Sequence, residues 1–310
     1  IIYLYTHLGV LWQDEALLAE AEELVSLLPD LIDKDQGLDV INGSAGCIPG
    51  LLSLYHVRPS ALTLETAIRC GDRLLAQAPQ CGAEFPPATE VSNTQDALGR
   101  PLTGFSHGAA GMALSLLKLA AVSEQERFRQ GAIAAMGYER QVFSPEHRNW
   151  PDLRDLEEIS GAPANVPERK EPPFMVVWCH GAPGIGLGRL ASLPYFKDEV
   201  MPQEIAIALQ TTLAKGFGWN HSLCHGDLGN LETVLTAAQM LGDAEYQTHA
   251  ERLAAMLLES IETQGWLTGI PLGVETPGLM TGIAGIGYEL LRLAAPARVP
   301  RVLTLEKPPA

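Results

Sequence analysis

The sequence predicts an all-α fold: an α/α barrel, or toroid, with an inner ring of apolar helices inside an outer ring of amphipathic ones. Three observations predict it. A small-residue turn of the form G-x-x-G opens an apolar run five times, at Gly43, Gly108, Gly181, Gly226 and Gly282. More polar stretches of helical periodicity alternate with those runs. Strand patterns are nearly absent. Helices apolar on every side belong inside and amphipathic ones outside, and two concentric rings satisfy both demands.

The elements follow in order. Residues 1–12 read as the body of a further copy whose glycine turn lies upstream. The chain opens in mid-pattern on Ile1-Ile2-Tyr3 without Met, so it is expected to be the N-terminally truncated part of a longer polypeptide. Amphipathic helices are expected at 14–28, 61–77, 124–140, 201–215 and 243–263, with Asp14, Ser123 and Asp243 as N-caps. Between them stand the apolar runs, such as Met112-Ala113-Leu114-Ser115-Leu116-Leu117 and Tyr288-Glu289-Leu290-Leu291-Arg292-Leu293. The glycines mark the starts of the inner helices, crowded at one end of the barrel, where small residues permit close approach. Segments 78–103 and 144–177, rich in Pro, Glu, Asp and Asn, are long loops of the kind that carry function or remain disordered.

Composition narrows the partners. Apolar residues make up 46% and charged residues 19% of the 310, enough for a sizeable core. Acidic residues outnumber basic ones, 37 to 21, for a formal charge of −16. That excludes nucleic acid or an anionic membrane as the main partner, since both need Lys/Arg surfaces. No apolar run approaches the ~20 residues of a transmembrane segment, and no signal peptide opens the chain. Five cysteines, an odd number in a long chain, fit a reducing, cytoplasmic setting better than a disulfide framework.

The chemistry concentrates in the turns. Two of the five carry the tripeptide Cys-His-Gly: Cys179-His180-Gly181 and Cys224-His225-Gly226. A third has His107-Gly108. If the turns converge at one mouth, two Cys and up to three His meet there, a zinc-type constellation. For a single copy, Cys as a small buried hydrophobe and His as a helix-start residue would suffice; the repetition at equivalent positions argues for metal. Asp39 serves equally as a helix cap or a site residue. His221 is expected at the surface, Cys47, Cys70 and Cys81 as buried small residues without partners, and Trp150, Trp178 and Trp266 as core.

These turns also carry a resemblance. DVINGSAG (39–46), SHGAAGMA (106–113), WCHGAPGIGLGRL (178–190), LCHGDLGNLE (223–232), ETPGLMTGIAGIGYELLRL (275–293) and the tail 298–305 are similar to the lanthionine cyclases, the LanC-like family. The similarity is strongest to the C-terminal cyclase domain of class II, LanM-type lanthipeptide synthetases. The resemblance spans the chain and implies one LanC-like cyclase domain over 1–310, following a dehydratase domain in the parent polypeptide. It implies zinc held by Cys179, Cys224 and His225, with the substrate thiolate as fourth ligand, His107 as acid/base residue and Asp39 beside it. An Arg found in some relatives four residues before the first Cys ligand is Met175 here, so no such role carries over. His180 stands where some relatives have Tyr, and its part in catalysis stays open.

The implied reaction adds a cysteine thiolate of a dehydrated precursor peptide to dehydroalanine or dehydrobutyrine, closing a thioether ring. A free thiol, with a pKa of about 8.5, is only slightly ionised at neutral pH, and zinc coordination removes that proton. The enolate formed next needs a proton at its α-carbon, which a histidine can supply. The competing readings are a catalytically idle LanC-like module gripping a peptide or thiol, and another toroid enzyme such as a glycosidase or prenyltransferase. A glycosidase needs paired carboxylates, for which the turns offer mainly Asp39 and Asp227.

Overall fold

Every glycine turn starts a helix. The computed structural model describes residues 1–77, 101–154 and 171–309. Its helices are α1 (Ile2–Trp12), α2 (Glu15–Val25), a single-turn α3 (Pro29–Ile32), α4 (Ser44–Val57), α5 (Ala61–Gln77), α6 (Ala109–Ser123), α7 (Glu126–Val142), α8 (Ala182–Ser192), α9 (Met201–Lys215), α10 (Asp227–Leu241), α11 (Ala244–Gln264) and α12 (Ile283–Ala294). Gly43, Gly108, Gly181, Gly226 and Gly282 are the N-cap residues of α4, α6, α8, α10 and α12. Among the described residues strand pairing is confined to two isolated bridges, Ser144 with Asn149 and Val176 with Gly181.

The two rings form as the periodicity predicts. Successive inner helices pack side by side, α1 on α4, α4 on α6, α6 on α8, α8 on α10 and α10 on α12. Each of α1, α4, α6, α8 and α10 also packs against the helix that returns outside it: α2, α5, α7, α9 and α11 respectively. Helix α10 is buried without a break from Asp227 to Ala238, whereas the outer α11 buries only Ala250, Leu253 and Leu257. Asp14 and Asp243 cap α2 and α11 by accepting from backbone N–H groups. Ser123 does not cap α7. It belongs to α6, its hydroxyl donates to Leu119 O, and the N-cap of α7 is Gln125.

The second glycine of each turn is a steric requirement. A Cβ on Gly46, Gly111, Gly184, Gly229 or Gly285 would stand between 1.8 and 2.1 Å from the carbonyl oxygen six residues earlier. The loop therefore folds back on the first turn of its own helix, at a distance only a hydrogen can occupy. A chain of backbone hydrogen bonds then runs from turn to turn. Val40 N donates to Ser106 O (3.0 Å), Phe105 N and Ser106 N to Cys179 O (3.2 and 3.3 Å), Cys179 N to Cys224 O (3.2 Å), and Cys224 N to Met280 O (2.8 Å). This lacing sets equivalent positions of all five turns beside one another at one mouth.

Several charged groups inside the barrel are paired. Arg189 reaches Glu139 and Glu204 at 2.9 and 3.3 Å, and Glu139 also accepts from Gly104 N. Arg292 bonds Glu232 at 3.0 Å. Cys47 and Cys70, expected to lack partners, share a hydrogen bond between α4 and α5. Cys81 lies outside the described residues, as do 78–100 and 155–170 of the two long loops. At the far end the tail folds back, with Tyr3 Oη donating to Glu306 O and Lys118 Nζ to Thr304 O. A cavity of about 1100 Å³ between this tail and the helix ends is lined by groups such as Tyr55, Lys118 and Tyr195. It is lined by none of the turn residues that carry Cys and His.

The glycine rule is testable by paired substitution. Gly229→Ala drives a methyl into Leu223 O and should cost several kcal/mol, or prevent folding, as core overpacking does at about 1–3 kcal/mol or more. Gly287→Ala, with no neighbouring atom within 4 Å, should be neutral or stabilise α12 by about 0.5–1 kcal/mol. Thermal or urea unfolding of the two variants checks both.

Candidate metal and proton-transfer site

The site is assembled by the lacing just described. Cys179 and Cys224 occupy equivalent positions, two residues before the first glycine of their turns, and the Cys179 N to Cys224 O bond sets their backbones together. Their sulfurs share a hydrogen bond. Cys179 is 7% exposed and sits in the core with Trp178 and Leu223. The shared proton, reinforced by burial, holds the Cys179 thiol well above the usual range. Donation from Cys179, aided by a hydrogen bond with His225, pulls Cys224 below it. The pair thus keeps one proton and releases the other easily.

His225 follows Cys224 and hydrogen-bonds its sulfur, which raises the imidazole pKa. Its Nε2 lies 2.9 Å from Gly269 O. With Nε2–H donated to that carbonyl, Nδ1 is the nitrogen left to face the Cys224 sulfur. A carbonyl fixing the tautomer in this way is the usual outer-shell partner of a metal-binding histidine. Gly269 leaves room for the ring, since a Cβ there would stand 2.7 Å from Nε2.

His107 precedes Gly108, and its Nδ1 lies 2.6 Å from Asp39 Oδ2. Asp39 is fully buried, and its Oδ1 accepts from Asn42 N at 2.6 Å. One carboxylate therefore braces its own turn and holds His107; it does not cap α4, whose N-cap is Gly43 and whose Ser44 N donates to Asp35 Oδ2. The His107 side chain is 26% exposed, turning an accessible ring toward the mouth. His180 stacks on it at 5.9 Å between centroids but has no solvent exposure. Its nitrogens make no hydrogen bond of good geometry to described residues, and Asp152 Oδ1 stands 3.7 Å from Nδ1. Burial pushes the His180 pKa down to about 4, so the ring is neutral at neutral pH.

The structure adds residues that the sequence reading passed over. Asn149 Oδ1 accepts from Ala182 N at the start of α8, and Asn149 Nδ2 donates to Met175 O. Asp152 lies beside His180 and is gripped by Arg154 through Nε and Nη2 at 3.0 and 2.6 Å. All three come from the loop 144–177, whose composition gave no sign of which residues face the site. Three expectations need correction. His221 is buried, not on the surface: its Nε2 meets Ser260 Oγ and its Nδ1 accepts from Leu267 N. Trp266 is 41% exposed, whereas Trp150 and Trp178 are core. Asp227, offered as a carboxylate for glycoside hydrolysis, is instead engaged by its own turn, accepting from Gly218 N and Trp219 N.

Comparison with known proteins agrees with this fold. The lanthionine synthetase C-like protein family matches residues 1–304. The chain belongs to that family. A lacticin 481/lactococcin biosynthesis protein, LcnDR2 of Lactococcus lactis subsp. lactis, is 24% identical over 207 residues, covering 63% of this chain. The match takes in 21% of that relative, so the chain spans about a fifth of its length. Among solved structures, nisin cyclase superposes with a TM-score of 0.54 at 14% identity, covering 98% of this chain and 89% of that one. A sugar epimerase from a ruminal bacterium superposes with a TM-score of 0.56 at 12% identity, covering 88% and 76%. At such identities the structural likeness concerns the fold, and the α/α toroid serves unrelated chemistries.

Within this LanC-like barrel, Cys179, Cys224 and His225 adjoin one another, while His107, Asp39 and His180 form a second group at the same mouth. Among the described residues no three His, Cys, Asp or Glu side chains stand in the arrangement of a formed metal site. The donor chemistry nevertheless fits a thiophilic divalent ion: two thiols sharing a proton, and one imidazole with its tautomer fixed.

The shared proton gives a measurable signature. In metal-free protein one thiol of the pair should react with iodoacetamide well below the ordinary thiol pKa of about 8.5. The second should react only well above it. Cys179→Ala removes the donor to Cys224 and should move its reactivity toward the ordinary range, the part due to His225 remaining. Mass-resolved alkylation against pH measures both steps.

Proposed function

We propose that residues 1–310 form a zinc-dependent lanthionine cyclase domain, which closes thioether rings in a dehydrated, ribosomally made precursor peptide. The observation that carries the reading is the convergence of the Cys179–Cys224–His225 group with the Asp39–His107 pair at one mouth. Family membership and the lacticin biosynthesis relative support it. The reaction needs dehydro residues, so a dehydrating activity must act first on the same peptide, and we place it upstream in the parent polypeptide. Four free thiols among the described residues suit a reducing, cytoplasmic setting, and no described helix is long and apolar enough to cross a membrane.

Cys179 and Cys224, as thiolates, and His225 through Nδ1 would hold the zinc. When bound, it supplies a positive centre that keeps the substrate cysteine as a thiolate at neutral pH. His107 then serves proton transfer. Asp39 fixes its Nδ1–H, which leaves Nε2 to take the thiol proton and later to return one to the α-carbon. His180, neutral and enclosed, backs the His107 ring and keeps water from its buried face. The thiolate sulfur bonds to the β-carbon and the double-bond pair passes to the α-carbon and its carbonyl. The thiol hydrogen is replaced at the α-carbon, so mass is unchanged and thiol loss must be read by alkylation.

Two measurements test the proposal. One zinc per chain is expected by elemental analysis, lost in Cys179→Ala/Cys224→Ala; retention of metal in that double variant refutes the ligand assignment. His107→Asn should keep zinc while ring closure of a pre-dehydrated peptide slows about 10²–10⁴-fold. Loss of metal in that variant would make His107 a ligand, and unimpaired turnover would move the acid/base role elsewhere.

A further inference from the structure

Arg154 comes from a stretch with no glycine turn and no repeat equivalent, yet the fold brings it, through Asp152, beside His180. Its segment is pinned from both sides. Thr103 Oγ1 donates to Pro151 O, and Asp152 N donates to Pro173 O at 2.8 Å. Asn149 ties the same segment to the start of α8. Asp152, fully buried, clasps the guanidinium through Nε and Nη2 in a two-point fork and also accepts from Arg154 N at 3.2 Å. The third nitrogen, Nη1, has no partner among the described residues, and the side chain is 28% exposed. The guanidinium interacts electrostatically with Cys179, Cys224, His225 and His180. It is thus a permanent cation, oriented by one buried carboxylate that stands 3.7 Å from His180 Nδ1, and His180 in turn stacks on His107 at the proposed site.

Ring closure generates negative charge where such a cation is useful. The thiolate sulfur forms a bond to the β-carbon of the dehydro residue, the α–β π bond breaks, and its electron pair passes through the α-carbon to the adjacent carbonyl oxygen. That oxygen carries the enolate charge until the α-carbon is protonated. Two cysteine sulfurs and two buried carboxylates already surround the site, so an unassisted enolate would form against like charge. We propose that Arg154 is a catalytic residue of this domain, donating through Nη1 to the carbonyl oxygen of the dehydro residue under attack and stabilising the enolate. A donor preset by the protein acts where charge develops and needs no rearrangement as the bond forms. The inference rests on the cyclase reading and adds a transition-state contact to it.

The test uses the zinc-loaded full chain and a synthetic peptide bearing one dehydroalanine and one cysteine. Arg154→Ala should lower kcat roughly 10²–10³-fold with KM and zinc content close to those of the parent; because it strands the buried Asp152 carboxylate, each comparison is made below the melting temperature of the variant and repeated in Arg154→Ala/Asp152→Asn. Free guanidinium chloride at low millimolar concentration should restore at least part of that loss, whereas sodium chloride at equal ionic strength should not. A merely structural arginine would give lost zinc, or a kcat that guanidinium does not rescue in either variant, and that result overturns the inference. Unchanged kcat, or a loss confined to KM, overturns it as well and leaves the cyclase reading standing. An inactive parent removes the cyclase reading and this inference with it.

Discussion

The lacing of turn to turn is the constraint on which the rest depends. Each loop folds so tightly onto the helix it opens that the second glycine leaves no room for a methyl. The residue two before the first glycine is thereby presented to its neighbour, and backbone hydrogen bonds link Ser106, Cys179, Cys224 and Met280 in succession. Side chains at that position, and at the one after it, have little choice of location. Cys179 meets Cys224, and the His107 ring meets His180, because their backbones are already registered.

A mouth crowded with backbone also creates an electrostatic problem that buried polar networks answer. The Arg189–Glu139–Gly104 chain ties α7 and α8 to the loop bearing His107. Asp39 divides its oxygens between its own turn and the neighbouring turn's histidine. Such groups are stable inside only while paired, and losing one partner of a buried ion pair typically costs about 3–5 kcal/mol. The networks therefore tie the geometry of the mouth to folding, since the same pairs join neighbouring turns and helices.

The two halves of the site are held by different means, which suits a division of labour. The thiol side is set by backbone-to-backbone bonds and by a shared proton, so its charge adapts. The His107 side is set by a buried carboxylate, so its orientation is rigid while its outer nitrogen stays accessible. A sugar epimerase shares the same toroid, so the fold alone does not specify the chemistry. The large cavity at the opposite end, closed by the C-terminal tail, lies away from the Cys and His turns, so size alone is a poor guide to chemistry in this fold.

The sequence by itself determined the helix starts, the inner and outer assignment and the members of the Cys/His group. Those features repeat, and a repeat states its own geometry: glycines where backbones collide, apolar residues where helices are enclosed. The resemblance to lanthionine cyclases rested on the same turns. What does not repeat was decided only by tertiary structure. Asn149, Asp152 and Arg154 lie in a loop with no periodicity, and their approach depends on contacts with Thr103, Met175, Pro173 and Ala182 that no local pattern encodes. His221 and Trp266 were misplaced for the same reason, because burial in a loop depends on what packs over it. So too for Cys47 and Cys70: they meet where α4 and α5 pack, and the spacing that joins them exists only once both helices have formed.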